Sequence, residues 1–119
     1  MKTQKISLFD IAYARSGDKG SSSNIGVIAY TPTGFSFLQN YLTEKKVDEF
    51  FKTLNPSKVI RYELPNLGAL NFVLEGILAG GGSRSLRIDS QGKALGQAIL
   101  EMEIEIPADL LQQCIKNKN

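Results

Sequence analysis

Apolar and polar positions along this chain recur at two periods, and each stretch is assigned by whichever period fits it. Ile6, Leu8, Phe9, Ile11, Ala12 and Tyr13 fall on both sides of a two-residue repeat, so residues 6–13 are expected as one buried first strand. Residues 24–30 form a second run, rich in β-branched side chains, and read as a second strand. Thr31-Pro32-Thr33-Gly34 reads as the turn that stops it. Phe35, Leu38 and Leu42, then Val47, Phe50, Phe51 and Leu54, recur at helical spacing. This predicts a short helix and a longer one, with Thr43 as the N-cap between them and Asn55-Pro56 as the stop. Lys58 to Leu64 alternates Val59, Arg61 and Glu63 against Ile60, Tyr62 and Leu64, predicting a third strand with one charged and one apolar face, closed by Pro65. Asn66 is then read as the cap of a helix whose stripe is Leu67, Leu70, Val73, Leu74, Ile77 and Leu78, halted by Gly80-Gly81-Gly82.

Beyond the glycines, residues 86–89 read as a short strand and 89–93 as a hairpin turn. Ala94 to Ile99 fits either a helix or a strand. Because Leu100, Met102, Ile104 and Ile106 alternate with Glu101, Glu103 and Glu105, the reading adopted is strand throughout, bent near Gly96. Pro107 ends it, and Leu110, Leu111 and Ile115 mark a weak terminal helix in a tail spanning 108–119. The element order predicts an α+β domain over residues 1–119. Its expected form is a ferredoxin-like two-layer sandwich, with a mixed or antiparallel sheet of about five strands and helices on one face. The exposed sheet edges of so small a domain suggest a homodimer that extends or stacks its sheets.

Composition narrows the function classes. The chain has 119 residues, 42% of them hydrophobic and 22% charged, which suits a single globular core. A formal charge of +2 lacks the basic footprint of a nucleic-acid binder, so no nucleic-acid partner is expected. Cys114 is the one cysteine and there is no histidine. Intramolecular disulfides, Cys-cluster metal sites, Ser-His and Cys-His mechanisms are thereby excluded, and no metal or cofactor is expected. Cys114 is read as part of the polar tail. No apolar run reaches the roughly 20 residues that span a bilayer, and Met1 to Ser7 is not followed by a signal-like apolar segment. A cytoplasmic protein with no membrane partner is the expectation.

Candidate chemistry concentrates in two segments. Arg15-Ser16-Gly17-Asp18-Lys19-Gly20 through Asn24 is read as a loop whose glycine amides, with Arg15, Lys19 and the serine hydroxyls, cradle a phosphate or carboxylate. The plainer reading is a solvated hairpin loop. Gly80-Gly81-Gly82-Ser83-Arg84-Ser85 has more glycine than a helix cap requires, which suits close approach of a ligand or another chain, or else a slack connection. If the two segments share one end of the sheet, Arg15, Lys19 and Arg84 converge. Asn66, with Asn71 beyond it, is placed as a third wall at a helix N-terminus, against the plainer reading of a cap and a surface amide. Glu75 is read as an exposed helix residue and Glu101, Glu103 and Glu105 as a solvated strand face. The Gly17-Asp18-Lys19-Gly20 match to the KH clamp follows a strand rather than joining helices, and the Gly80 segment lacks P-loop spacing.

Three long motifs carry a resemblance. DIAYARSGDKGSSSNIGV from Asp10 to Val27, YELPNLGALNFVL from Tyr62 to Leu74 and GGGSRSLR from Gly80 to Arg87 occur in the order found in one family. The chain resembles, from about Ile6 to Pro107, the C-terminal ferredoxin-fold domain of the acyclic terpene utilisation protein A (AtuA) family. That resemblance implies a setting in the breakdown of acyclic isoprenoids and related branched acids as CoA thioesters. It also implies a much larger N-terminal domain as partner, which this chain does not contain, and hence a separate small subunit that docks on it.

Two functions follow as expectations. The first is an accessory subunit of an AtuA-like acyl-CoA system, docking on the large domain and contributing an anion site for a CoA phosphate or carboxylate. That site draws on Arg15, Ser16, Gly17, Lys19, Gly20, Asn24, Asn66, Gly81, Gly82, Ser83 and Arg84. The second is a stand-alone lyase or hydratase acting on a CoA thioester, with Asp18 as base and glycine amides as oxyanion donors. A flat exposed surface around the 14–24 loop favours the first; a pocket closed off from water by burial of Asp18 favours the second.

Overall fold

The computed structural model describes residues 2–19, 22–76 and 94–115, with Asp18, Lys19 and Ala94 given by their backbone alone. The expected turn at 89–93, the strand at 86–89, Gly20 and the cluster from Gly80 to Arg84 lie outside these residues. Among the described residues there are six strands in two antiparallel sheets, with helices. The α+β expectation holds, with the strands divided four and two.

The four-stranded sheet has the order β2-β3-β5-β4, formed by β2 (Ala12–Lys19), β3 (Ser22–Ala29), β5 (Ala69–Glu75) and β4 (Lys58–Leu64). The second sheet pairs β1 (Thr3–Ser7) with β6 (Glu103–Pro107). The expected single strand over 6–13 is therefore two strands in different sheets. Between them Leu8–Asp10 makes a 3-10 turn, in which the Asp10 carboxylate accepts from the Ser7 amide at 3.1 Å. Such side-chain capture of a backbone amide competes with a β ladder. The Leu8 and Phe9 amides bond to the Met102 and Leu100 carbonyls, which carries the chain out of the first sheet.

Thr31 to Gly34 is a helix start rather than a turn. The Thr31 hydroxyl accepts from the Gly34 amide at 2.9 Å and Pro32 opens α1 (Pro32–Tyr41), where a missing N–H costs nothing. Thr43 caps α2 (Glu44–Phe50) as expected. The predicted helix after Asn66 is the strand β5. Gly68, at φ +61°, reverses the chain, and Leu70, Phe72 and Leu74 then point inward while Asn71 and Val73 point outward. Leu70 and Leu74 satisfy either period, but Val73 fits the helical stripe alone and Phe72 the alternation alone. Ala94–Ile99, read as strand, is instead a short helix, α3. The terminal α4 (Ala108–Leu111) matches the weak helix expected.

Inward residues Ile25, Val27, Leu70, Phe72 and Leu74 meet Leu38 and Leu42 from the α1 end, Val47 of α2, and Leu95 and Ile99 of α3 in one core. Ile104 and Ile106 of β6 extend that core, and so do Leu111 and Cys114. Cys114 is thus buried rather than part of a polar tail. A Cβ added to Gly34 would lie 3.6 Å from the Cys114 Cβ, and burial raises the thiol pKa.

Candidate functional site: the open face of the sheet

The described helices that pack on the four-stranded sheet lie on one side, and strand alternation decides which side chains are left on the other. Register places them in four rows across β2, β3, β5 and β4. One is Tyr13, Ile28, Ala69, Leu64; the next Arg15, Gly26, Asn71, Tyr62; the third Gly17, Asn24, Val73, Ile60; the fourth Lys19, Ser22, Glu75, Lys58. Tyr13, Tyr62 and Leu64 are 44%, 51% and 40% exposed, and Leu67, at the rim, 68%. An antiparallel sheet with one wet face ordinarily turns polar residues outward. Here the first row is wholly apolar, the next two mix apolar with polar residues, and the charged residues Glu75 and Lys58 fall in the fourth.

A shallow depression of about 480 Å³ lies on this face, lined by Tyr13, Arg15, Asn24, Ile28, Leu64 and Leu67 among others. Gly17 and Gly26 form its floor. At Gly26 a Cβ would meet only ordinary contacts, 3.8 Å from the Arg15 carbonyl oxygen and 3.9 Å from Asn71 Oδ1. The backbone thus tolerates a side chain there, and its absence leaves space above the sheet. Asn24 Nδ2 donates to Asn71 Oδ1 at 3.2 Å, tying the two amides together beside that space. Arg15 is exposed and is the one charge in the first three rows. Tyr13 stacks on Tyr30, ring centroids 5.8 Å apart, which holds its ring upright at the sheet edge.

The segment expected as an anion-cradling loop is a regular hairpin. Arg15, Ser16, Gly17, Asp18 and Lys19 pair with Gly26, Ile25, Asn24, Ser23 and Ser22, so these residues extend the sheet instead of forming a loop of free amides. Arg15, Gly17 and Asn24 come together on the open face. Ser16 alternates to the covered side, where its hydroxyl accepts from the Gly96 amide at 3.2 Å and seats α3 on β2. Asn66 is exposed in the 3-10 turn Pro65–Leu67, not at a helix N-terminus, and lines a neighbouring depression with Tyr30, Thr31, Phe35 and Gln39. Leu67 borders both depressions. Of Lys19 the backbone alone is described, and Gly20, Gly81, Gly82, Ser83 and Arg84 lie outside the described residues, as does any meeting of Arg84 with Arg15.

Sequence reasoning missed Tyr13, Gly26, Ile28, Tyr62 and Leu64 as site residues. Their signal was present in the alternation itself. The β4 faces are the reverse of the expected ones: Arg61 pairs with the fully buried Phe72 and lies under the helices, whereas Ile60, Tyr62 and Leu64 share the open face. Arg61 Nη1 donates to the Gln39 and Leu42 carbonyls, both at 2.9 Å, and Nη2 to Glu63 Oε2 at 2.8 Å. An arginine that binds the last carbonyls of a helix is well placed on the covered side. Among the described residues no group of histidine, cysteine and carboxylates is arranged to hold a metal, and no helix is long and apolar enough to cross a membrane.

No curated protein and no solved structure matches the chain. The family model of the AtuA ferredoxin-like domain matches residues 6–105, nearly all of the described fold. With its motif segments from Asp10 to Val27 and Tyr62 to Leu74 forming the strands of the open face, the chain belongs to the AtuA ferredoxin-like domain family.

Proposed function

We propose that this chain is a small subunit or accessory domain of an AtuA-like system acting on acyclic isoprenoid or branched acyl-CoA thioesters. It docks on the large AtuA-like domain through the open face of its four-stranded sheet. The observation that supports this reading is that face itself, with Tyr13, Tyr62, Leu64 and Leu67 exposed around an exposed Arg15. Contiguous exposed apolar surface is a mark of interaction sites. Arg15 supplies the anion contact, for a CoA phosphate or a carboxylate brought by the partner, because a guanidinium over a glycine floor can approach a planar anion closely. The depression is shallow and open, and its described lining holds no carboxylate or thiol to act as base or nucleophile. These features suit docking better than a self-contained active site.

Capture of the tagged chain from native lysate at moderate salt, with mass spectrometric identification, tests the reading. Recovery of a large AtuA-like protein in near-equal amount with the wild type, and its loss with Tyr62→Glu, is the expected result. Recovery of the chain with no such protein contradicts it.

A further inference from the structure

The depression on the open face is polar at one end and apolar at the other. Arg15 and Asn71 stand two strands apart in the second row with Gly26 between them, so a group resting on that glycine has a guanidinium on one side and an amide on the other. Asn71 Oδ1 is 3.9 Å from where a Gly26 Cβ would lie, and it already accepts from Asn24 Nδ2. That bond leaves N–H groups on both amides, which with the guanidinium make this end rich in donors. Arg15 is the one charged residue of the described lining, and among the described residues it makes no ion pair. Glu75, the one carboxylate in the four rows, stands opposite Lys58. It is two rows and two strands from Arg15, roughly 13 Å along the strands and about 10 Å across them. The first row, Tyr13, Ile28, Ala69 and Leu64, carries no charged group and borders the exposed Leu67 at the rim.

From this split we infer that the depression binds a free carboxylate bearing an apolar chain of medium length. Its carboxylate lies over Gly26 between Arg15 and the Asn24–Asn71 pair, and its chain crosses the first row toward Leu67. One guanidinium balances one negative charge, and a carboxylate carries that charge in a plane that pairs with it through two hydrogen bonds. A phosphate monoester carries between about −1.5 and −2 at neutral pH, more than Arg15 alone offsets. A volume of about 480 Å³ falls within the range of small-ligand pockets. Because the depression is shallow and open, the isolated chain holds such a ligand weakly. The inference deepens the anion contact of the proposed function, choosing a carboxylate over a phosphate, and rests on that reading of Arg15 but not on docking.

Amide chemical shifts of the isotope-labelled full chain, titrated with octanoate, acetate, octylammonium and octyl phosphate below their micelle concentrations, test it. Octanoate is expected to saturate one site and to shift the Arg15, Gly26 and Asn71 amides. Acetate is expected to bind at least tenfold more weakly, since each methylene set against the apolar row adds about two- to fourfold. Octylammonium, which brings a like charge to Arg15, is also expected at least tenfold weaker, and octyl phosphate no tighter than octanoate. Arg15 and Leu67 are exposed, so Arg15→Gln and Leu67→Ala are expected to leave the circular dichroism spectrum unchanged. The first should lower octanoate affinity about tenfold or more, the second about threefold. No saturation by octanoate, equally tight octylammonium, tighter octyl phosphate, or unchanged octanoate binding by Arg15→Gln overturns the inference. Octanoate binding with no large partner captured from lysate would leave this inference standing and the docking reading fallen; capture without octanoate binding would do the reverse.

Discussion

Arg61 and Cys114 show how single residues are fixed by what they touch rather than by their class. The Arg61 guanidinium binds the Gln39 and Leu42 carbonyls at the end of α1, and its amide donates to Glu44 Oε2 at 2.7 Å, so one residue ties β4 to both helices. Arg61→Ala is expected to destabilise the fold by about 1–3 kcal/mol in urea denaturation, since it strands two helix-terminal carbonyls. Gly76 sits at φ +85°, and a Cβ there would lie 2.6 Å from Ser57 Oγ. Gly76→Ala is expected to cost roughly 1–3 kcal/mol in the same measurement. The buried Cys114 thiol has its pKa raised by desolvation, so the unfolded chain ionises first as pH rises. Its contribution to stability is fully present below the ordinary thiol pKa and is lost as pH climbs through the raised one. Compared with Cys114→Ala, the wild type should lose stability more steeply across that alkaline window in thermal melts.

At the scale of elements, β5 is the strand on which the sheet depends, paired on both sides by β3 and β4. Phe72→Ala, at a fully buried position, is expected to cost about 3–5 kcal/mol in chemical denaturation. Sequence alone placed β3, α2, β4 and the β6 alternation, because each has one clean period and a proline, glycine or threonine at its boundary. It failed at 66–75, where Leu70 and Leu74 satisfy both periods, Val73 fits the helix and Phe72 the strand. It failed at 94–99, where six residues are too few to display a period. It joined β1 to β2 because apolar composition does not reveal a strand changing sheets; the Ser7–Asp10 bond that breaks the ladder is a local side-chain effect. The candidate face was half legible. Arg15, Gly17 and Asn24, which share it, were named for their chemistry, but the hydrophobic residues around them were assigned to the core. Which face of β4 is covered depends on where α1 ends, and Arg61 decides that only in three dimensions.

For the whole molecule, the described helices cover one side of a four-stranded sheet, and the other carries exposed aromatic and leucine side chains arranged around Arg15. Membership of the AtuA ferredoxin-like domain family gives that surface its proposed setting. The proposed large partner makes one demand on it, which is that the face be covered in the assembled protein. Phe9 and Phe50 are also exposed, yet neither belongs to the open face, so they serve as internal controls. Hydroxyl-radical footprinting read by mass spectrometry, on the dilute chain and on the assembly isolated from cells, tests the central claim most directly. Tyr13, Tyr62, Leu64 and Leu67 should be labelled in the dilute chain and protected together in the assembly, while Phe9 and Phe50 stay labelled in both. Protection of Phe9 or Phe50 with Tyr13 and Tyr62 still labelled would contradict the account and move the binding surface to another side of the domain.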